Sequence, residues 1–287
     1  MEIKEFEIYS EKNILRGKKY LAASEQRKNK SILMCHGFAG TQDLFLKKYA
    51  EKYAENGFDT IIFDYNGFGE SEGDTEIVPT NQINDILNMI LFIKRDEDLK
   101  DNKLFLWGTS LGGLYVLKLA ALKSEIMGVY AQITFANGLR NNTLGLNEEE
   151  VKKYINQIEN IKYKEISENK KLLLPLKKLL SDEQSKEFLE KYKDDFTSLT
   201  NTKLSLGTVK HINELSIDND LASIKVPVLL GKAKNDKVNS PQEMNFIYDK
   251  LNSEKKIIEL ECGHYEIYEG EFFEKTIAEQ MAWFDKI

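Results

Sequence analysis

The stretch Leu104-Phe-Leu-Trp-Gly108-Thr-Ser110-Leu-Gly112-Gly113-Leu-Tyr-Val-Leu-Lys-Leu-Ala-Ala121 decides the fold of this 287-residue chain. A short apolar run enters Gly-x-Ser-x-Gly, and a helical pattern begins at once. In that strand-turn-helix context the serine sits on a sharp elbow with its hydroxyl exposed at the end of a sheet. Side chains at Gly108 or Gly112 would collide across so tight a turn, and the elbow residue itself carries strained backbone angles. Ser110 is therefore the candidate nucleophile.

A second copy of the pattern, Gly69-Glu-Ser71-Glu-Gly73, lies downstream of the apolar run Thr60-Ile-Ile-Phe-Asp-Tyr65, which breaks at Asn66-Gly67. No helical pattern follows it, only Asp74-Thr-Glu and then Pro79. Glu70 and Glu72 would place negative charge where an oxyanion must form. Ser71 is read as a loop residue.

Working outward, apolar runs expected as strands cover 3–9, 14–22, 31–35, 60–65, 103–107, 127–135, 226–230 and 256–260. Helical patterns cover 44–55, 80–95, 111–122, 241–251 and 272–284. This alternation predicts an α/β fold with a mostly parallel eight-stranded sheet and helices on both faces. In such sheets the reactive residues collect at the carboxyl ends of the strands.

From about Leu139 to Leu221 the alternation stops and no strand is expected. About eighty residues are too many for a plain loop in a compact domain. Helical spacing at Val151, Tyr154, Ile155, Ile158 and Ile161 argues for an inserted helical cap. Asn141-Asn142 and Ser216-Ile-Asp-Asn-Asp220 read as its hinges or caps. The expected organisation is a core of residues 1–138 and 222–287 with a cap of 139–221. The cluster Leu172-Leu-Leu-Pro-Leu-Lys-Lys-Leu-Leu180 either roofs a pocket or packs the cap on the core.

A serine hydroxyl needs an adjacent base oriented by a third group. Of the three histidines, His36 ends the third strand, His211 lies within the cap segment and reads as a surface residue, and His264 follows the last strand. Only His264 fits the chain order serine, acid, histidine that goes with this elbow. The acid should leave a strand between Ser110 and His264, and Asp236 in Gly231-Lys-Ala-Lys-Asn-Asp236 does so. The rival position after the sixth strand holds Asn137, whose amide supplies no charge; Asp218 and Asp220 read as turn residues. Oxyanion donors are expected from the backbone N–H groups of Leu111, next to the nucleophile, and Phe38, in His36-Gly37-Phe38. His36 is left with a structural role in its loop.

Taken together, His36-Gly37-Phe38-Ala-Gly40, Phe63-Asp64-Tyr65-Asn-Gly67-Phe-Gly69-Glu-Ser71, the elbow, the Asp236 loop and Gly263-His264-Tyr265-Glu-Ile-Tyr268 resemble the α/β-hydrolase superfamily over nearly the whole chain except the cap. The first and last of these motifs, with Glu271-Phe-Phe-Glu274, further resemble a branch of X-Pro dipeptidyl-peptidase-like and fungal polyketide-processing hydrolases. The resemblance implies cleavage of esters, thioesters or amides. Where that family has arginine after Asp-Tyr, this chain has Asn66. Tyr65, either aimed at the oxyanion or packing its loop, and Tyr265 are the candidate substrate-pocket residues.

Composition narrows the partners. The chain is 41% hydrophobic and 30% charged with a formal net charge of −7, which argues against nucleic-acid backbones or anionic membranes. No segment approaches the roughly 18 apolar residues of a membrane helix. The start Met1-Glu-Ile-Lys-Glu-Phe-Glu has no secretory pattern, and two cysteines, Cys35 and Cys262, fit a reducing compartment. A cytoplasmic location is the expectation. No metal-ligand cluster or phosphate-binding glycine loop is visible, so neither metal nor cofactor is expected. The reading is a serine hydrolase acting on a small-molecule ester or thioester, with a peptidase or amidase and a ligand sensor on a hydrolase fold as alternatives.

Overall fold

Alternation of side chains along the strands sorts the core into two layers. The computed structural model describes residues 1–196 and 201–287. In β3 (Lys30–Cys35), Ile32 and Met34 face one apolar layer while Leu33 and Cys35 face the other. The first layer is covered by α1 (Leu46–Glu55) and the C-terminal helix Gly270–Lys286. The second is covered by α2 (Pro79–Ile93), α3 (Leu111–Leu122) and the helix Pro241–Lys250. A strand buried on both faces reads as a continuous apolar run, which is why β3, β4 (Asp59–Phe63) and β5 (Lys103–Thr109) were legible.

The main sheet has eight strands. β1 (Glu2–Ser10) and β2 (Asn13–Leu21) form an antiparallel hairpin at one edge, and β2 pairs antiparallel with β4. From β4 the order runs through β3, β5, β6 (Ile126–Gln132) and β9 (Val228–Ala233) to β10 (Lys255–Leu260), all parallel. The mostly parallel eight-stranded α/β architecture expected from the sequence is the one observed. Because these six strands run the same way, Cys35, Thr109, Ala233 and Leu260 all end at one side of the sheet.

Element ends differ where single residues take unusual backbone angles. The sixth strand stops at Gln132 rather than Phe135 because Ile133 adopts φ +44°. Helix α1 starts at Leu46 rather than Leu44 because Phe45 has φ +66°.

Between β6 and β9 the chain forms α4 (Gly138–Asn142), α5 (Glu148–Ser167), α6 (Leu176–Leu179), α7 (Glu183–Tyr192) and α8 (Thr208–Asn213). The expectation of no strand here is corrected. β7 (Leu173–Pro175) and β8 (Lys203–Ser205) pair antiparallel, three residues each. Segments that short carry no readable period, and β7 sits in a leucine cluster that looks helical by composition. Helix α5 begins at a capping box in which Asn147 Oδ1 accepts from the Glu149 and Glu150 N–H groups and Glu150 returns a bond to Asn147 N–H. Asn141 and Asn142, read as hinges or caps at the start of this segment, lie within α4, whose N-cap is Asn137.

The base of this segment is held by Arg140. Its guanidinium bonds Asp218 in bidentate fashion at 2.9 and 3.0 Å and also bonds Glu243 at 2.5 and 2.9 Å. Glu243 is buried and also accepts the Ala136 and Asn137 N–H groups. Both carboxylates raise the arginine pKa further, Glu243 contributing most. No described helix is long and apolar enough to cross a membrane.

Candidate active site

Ser110 stands between β5 and α3 with φ +51° and ψ −122°, a region that non-glycine residues rarely occupy. The strain is held from several directions. Ser110 N–H donates to the Gln132 carbonyl at 3.0 Å, and Gly113 N–H donates to the Ser110 carbonyl at 2.9 Å. A methyl group added at Gly108 would overlap the Gly112 carbonyl, and one at Gly112 would overlap the carbonyls of Cys35 and His36. Beneath the elbow, Thr109 Oγ1 is 2.5 Å from Tyr268 OH and accepts from Gln132 Nε2 at 3.2 Å.

His264 and Asp236 meet at the ends of β10 and β9. Asp236 Oδ2 lies 2.7 Å from His264 Nδ1, and both side chains are almost completely buried. The second oxygen of Asp236 accepts the N–H groups of Val238 and Asn239 at 2.8 Å each, so its orientation is fixed by its own loop. The aspartate thereby assigns the Nδ1 proton and leaves Nε2 as the basic nitrogen. Gln184 of α7 ties the two loops together. Its Oε1 accepts from Lys237 N–H and His264 N–H, and its Nε2 donates to the Asn235 carbonyl. No pattern in the sequence pointed to Gln184.

The loop after β3 packs against the serine: a Cβ on Gly37 would lie 3.0 Å from Ser110 Cβ. A side chain there would press on the elbow by a few tenths of an ångström, and the close approach brings Phe38 and Leu111 beside Ser110 around a shared cavity. His36 Nδ1 contacts the Gly37 carbonyl at 3.2 Å. Burial pushes the His36 pKa down to about 4, so it remains neutral as a loop support. His211, expected on the surface, is half-buried on α8, with Nε2 3.4 Å from Lys162 Nζ. Burial, with Lys162 next, lowers its pKa.

Two cavities meet at Ser110. The smaller, about 80 Å³, is lined by His36, Phe45, His264, Tyr265 and Tyr268, with Leu176 and Leu180 from the inserted segment. The larger, about 410 Å³, is bounded by Phe38, Phe135, Tyr154, Ile158, Leu179 and Ile212, among others. Leu180 and Val238 border both. The leucine cluster is thus divided: Leu172 and Leu173 are exposed, whereas Leu176, Leu179 and Leu180 face the cavities. Tyr265 lines the small cavity, stacked on Phe188 at 4.0 Å, with its hydroxyl 2.8 Å from Ser185 Oγ.

Tyr65 borders neither cavity. It is fully buried, edge-on to the rings of His36, Phe63 and Tyr115. The structure thus places it in the packing of its loop. The second serine motif is equally structural, because Ser71 Oγ donates to the Asp64 carbonyl at 2.7 Å and accepts from Arg16 N–H at 2.9 Å. Cys35 and Cys262 are buried free thiols whose pKa values burial raises to about 12.

A strained serine elbow, a buried aspartate–histidine pair and these loop origins on a mostly parallel sheet define an α/β hydrolase. Residues 26–267 match the family Hydrolase_4, serine aminopeptidase S33, and the chain belongs to that family. It is 35% identical over 262 residues to an uncharacterized 31.7 kDa protein of the traX-finO intergenic region of Escherichia coli, covering 90% of this chain and 91% of that one. It is 25% identical over 263 residues to the quorum-quenching protein AidA of Acinetobacter baumannii, covering 89% and 86% of the two chains. The polyketide transferase grgF of Penicillium sp. is 26% identical over 119 residues, 41% of this chain and 40% of that one. The crystal structure of the α/β hydrolase GrgF from Penicillium sp. superposes with a TM-score of 0.81 at 17% identity, covering 100% and 99%.

Proposed function

We propose that this α/β hydrolase is a serine hydrolase cleaving a carboxylic ester or thioester with an apolar acyl group. The observation that carries the reading is the position of Ser110, strained at the junction of an apolar chamber and the cavity that holds the paired His264. In the proposed reaction Ser110 Oγ attacks the acyl carbon while its proton passes to His264 Nε2. Asp236 stabilises the resulting imidazolium. The backbone N–H groups of Phe38 and Leu111 hold the oxyanion, each worth on the order of 3 kcal/mol in the transition state. His264 then protonates the departing alcohol or thiol, and water resolves the acyl-enzyme by the same route.

Residues 139–221 serve as the cap over a core of 1–138 and 222–287, supplying Tyr154, Ile158, Leu179 and Ile212 to the larger chamber. That chamber suits the acyl chain, since burying each methylene contributes about 0.8 kcal/mol. Its about 410 Å³ holds on the order of ten methylenes, taking each as about the size of a water molecule.

The family is described as serine aminopeptidase, and an aminopeptidase must hold an α-ammonium group. Among the described residues, neither cavity at Ser110 is lined by a carboxylate, which favours a neutral acyl substrate over a free amino terminus. The test is a series of 4-nitrophenyl esters of increasing acyl length beside amino-acid 4-nitroanilides. Saturable turnover of esters, with an optimum at medium chain length and no turnover of anilides, is expected. Preferred turnover of the anilides would sink the reading in favour of a peptidase.

A further inference from the structure

The hydroxyl of Ser110 has a partner outside the aspartate–histidine pair. Asn239 Nδ2 lies 3.1 Å from Ser110 Oγ and donates to it. The same nitrogen donates to the Ile133 carbonyl at 2.7 Å. Asn239 is buried and sits three residues beyond Asp236, in the loop that fixes the aspartate.

The direction of the bond to Ser110 follows from a chain of assigned donors. Ser240 N–H donates to Asn141 Oδ1 at 2.9 Å, so the backbone fixes which end of the Asn141 amide is oxygen. Asn141 Nδ2 then faces Asn239 Oδ1 at 3.1 Å. The remaining end of Asn239 must be nitrogen, and the Ile133 carbonyl, which can only accept, requires the same. Ile133 itself adopts φ +44°, an outlying conformation for a β-branched residue.

A hydroxyl has one proton and two lone pairs. With one lone pair held by Asn239, the Ser110 proton is free for the base, which the reading above assigns to His264, and the other lone pair for the acyl carbon. We propose that Asn239 is a catalytic residue that polarises the nucleophile, a role that rests on the serine-hydrolase reading above. During acylation the Oγ–C bond forms, the carbonyl electron pair moves onto oxygen, and the Oγ proton goes to His264. Asn239 transfers nothing; its hydrogen bond to Oγ strengthens as charge grows there. During deacylation Oγ is the leaving group, and the same N–H stabilises its departure before His264 returns the proton.

The measurement is kcat and KM on one 4-nitrophenyl ester for wild type, Ser110→Ala, Asn239→Ala and Asn239→Asp, with melting temperatures in parallel. Asn239→Ala is expected to lower kcat about 10- to 100-fold, the usual range for a hydrogen bond to a charged group, with KM within about threefold. Asn239→Asp has the same shape but an ionised carboxylate only accepts. It should compete with His264 for the serine proton and fall below Asn239→Ala, whereas a merely structural site would tolerate the isostere better. If Asn239→Ala does not fold, Asn239→Ser carries the same test. An Asn239→Ala kcat within twofold of wild type, or a loss confined to KM, overturns the proposal while leaving the serine reading intact if Ser110→Ala is dead. Full turnover in Ser110→Ala overturns both.

Discussion

Two pentapeptides of this chain fit Gly-x-Ser-x-Gly, and they place their serines in opposite circumstances. Ser110 takes φ +51° and turns its hydroxyl to the junction of two cavities. The residues around Ser71 fold back on β2. Ser71 Oγ bridges Asp64 and Arg16 backbone groups, Arg16 also bonds the Glu70 carbonyl, and Glu72 N–H donates to the Ile14 carbonyl. Asp64 organises this loop by accepting from Gln42 N–H, Gln42 Nε2 and Glu70 N–H. The pattern alone separates nothing; what separates the two serines is whether a buried strand delivers the motif and a helix leaves it. A serine whose donor and acceptor are both spent on backbone has no proton to give a base.

The comparison can be broken most severely at Ser110. Ser110→Ala should lose on the order of 10⁴-fold or more in ester turnover, assayed with 4-nitrophenyl esters, and retain its melting temperature. Next comes Asp236→Asn, which keeps the shape of the pair but admits the wrong imidazole tautomer. A roughly 10⁴-fold fall in kcat is expected, with circular dichroism unchanged. Near-normal turnover would mean that the orienting acid lies elsewhere.

Effects in the Ser71 loop should appear in stability and not in rate. Burial raises the Asp64 pKa from its ordinary 3.8 to about 6, outweighing the N–H groups that lower it. The folded state therefore binds this proton more tightly than the unfolded chain. The corresponding stability is fully present below about pH 4 and is lost as pH rises through about 6. The unfolding free energy of wild type relative to Asp64→Asn should fall by on the order of 2–3 kcal/mol between pH 4 and 7, measured by urea titration. A difference that grows with pH would show the opposite shift. Smallest of all, Ser71→Ala should cost about 1–2 kcal/mol for two lost hydrogen bonds while leaving turnover within twofold.

What the sequence revealed tracks how local the signal is. The parallel strands could be read because burial on both faces demands continuous apolar runs, and Ser110, Asp236 and His264 stood out as candidates because each ends or follows such a run. The strand pair Leu173–Pro175 and Lys203–Ser205 could not, since three-residue strands have no period and their pairing spans about thirty residues. Asn239, Gln184 and the Arg140–Asp218–Glu243 cluster were silent for a related reason. Each acts by joining loops from distant parts of the chain, and nothing in its immediate neighbours marks it. Tyr65 shows the converse: a residue beside a recognisable motif, which the three-dimensional packing turns away from both cavities.

The central claim is that His264, held by Asp236, activates Ser110 and no other serine. Its most direct test is peptide mapping of wild type and His264→Ala after brief exposure to a fluorophosphonate. The account predicts a single adduct on the Ser110 peptide in wild type and strongly slowed labelling in His264→Ala. An adduct on the Ser71 peptide, or equal labelling of Ser110 in both proteins, would contradict it.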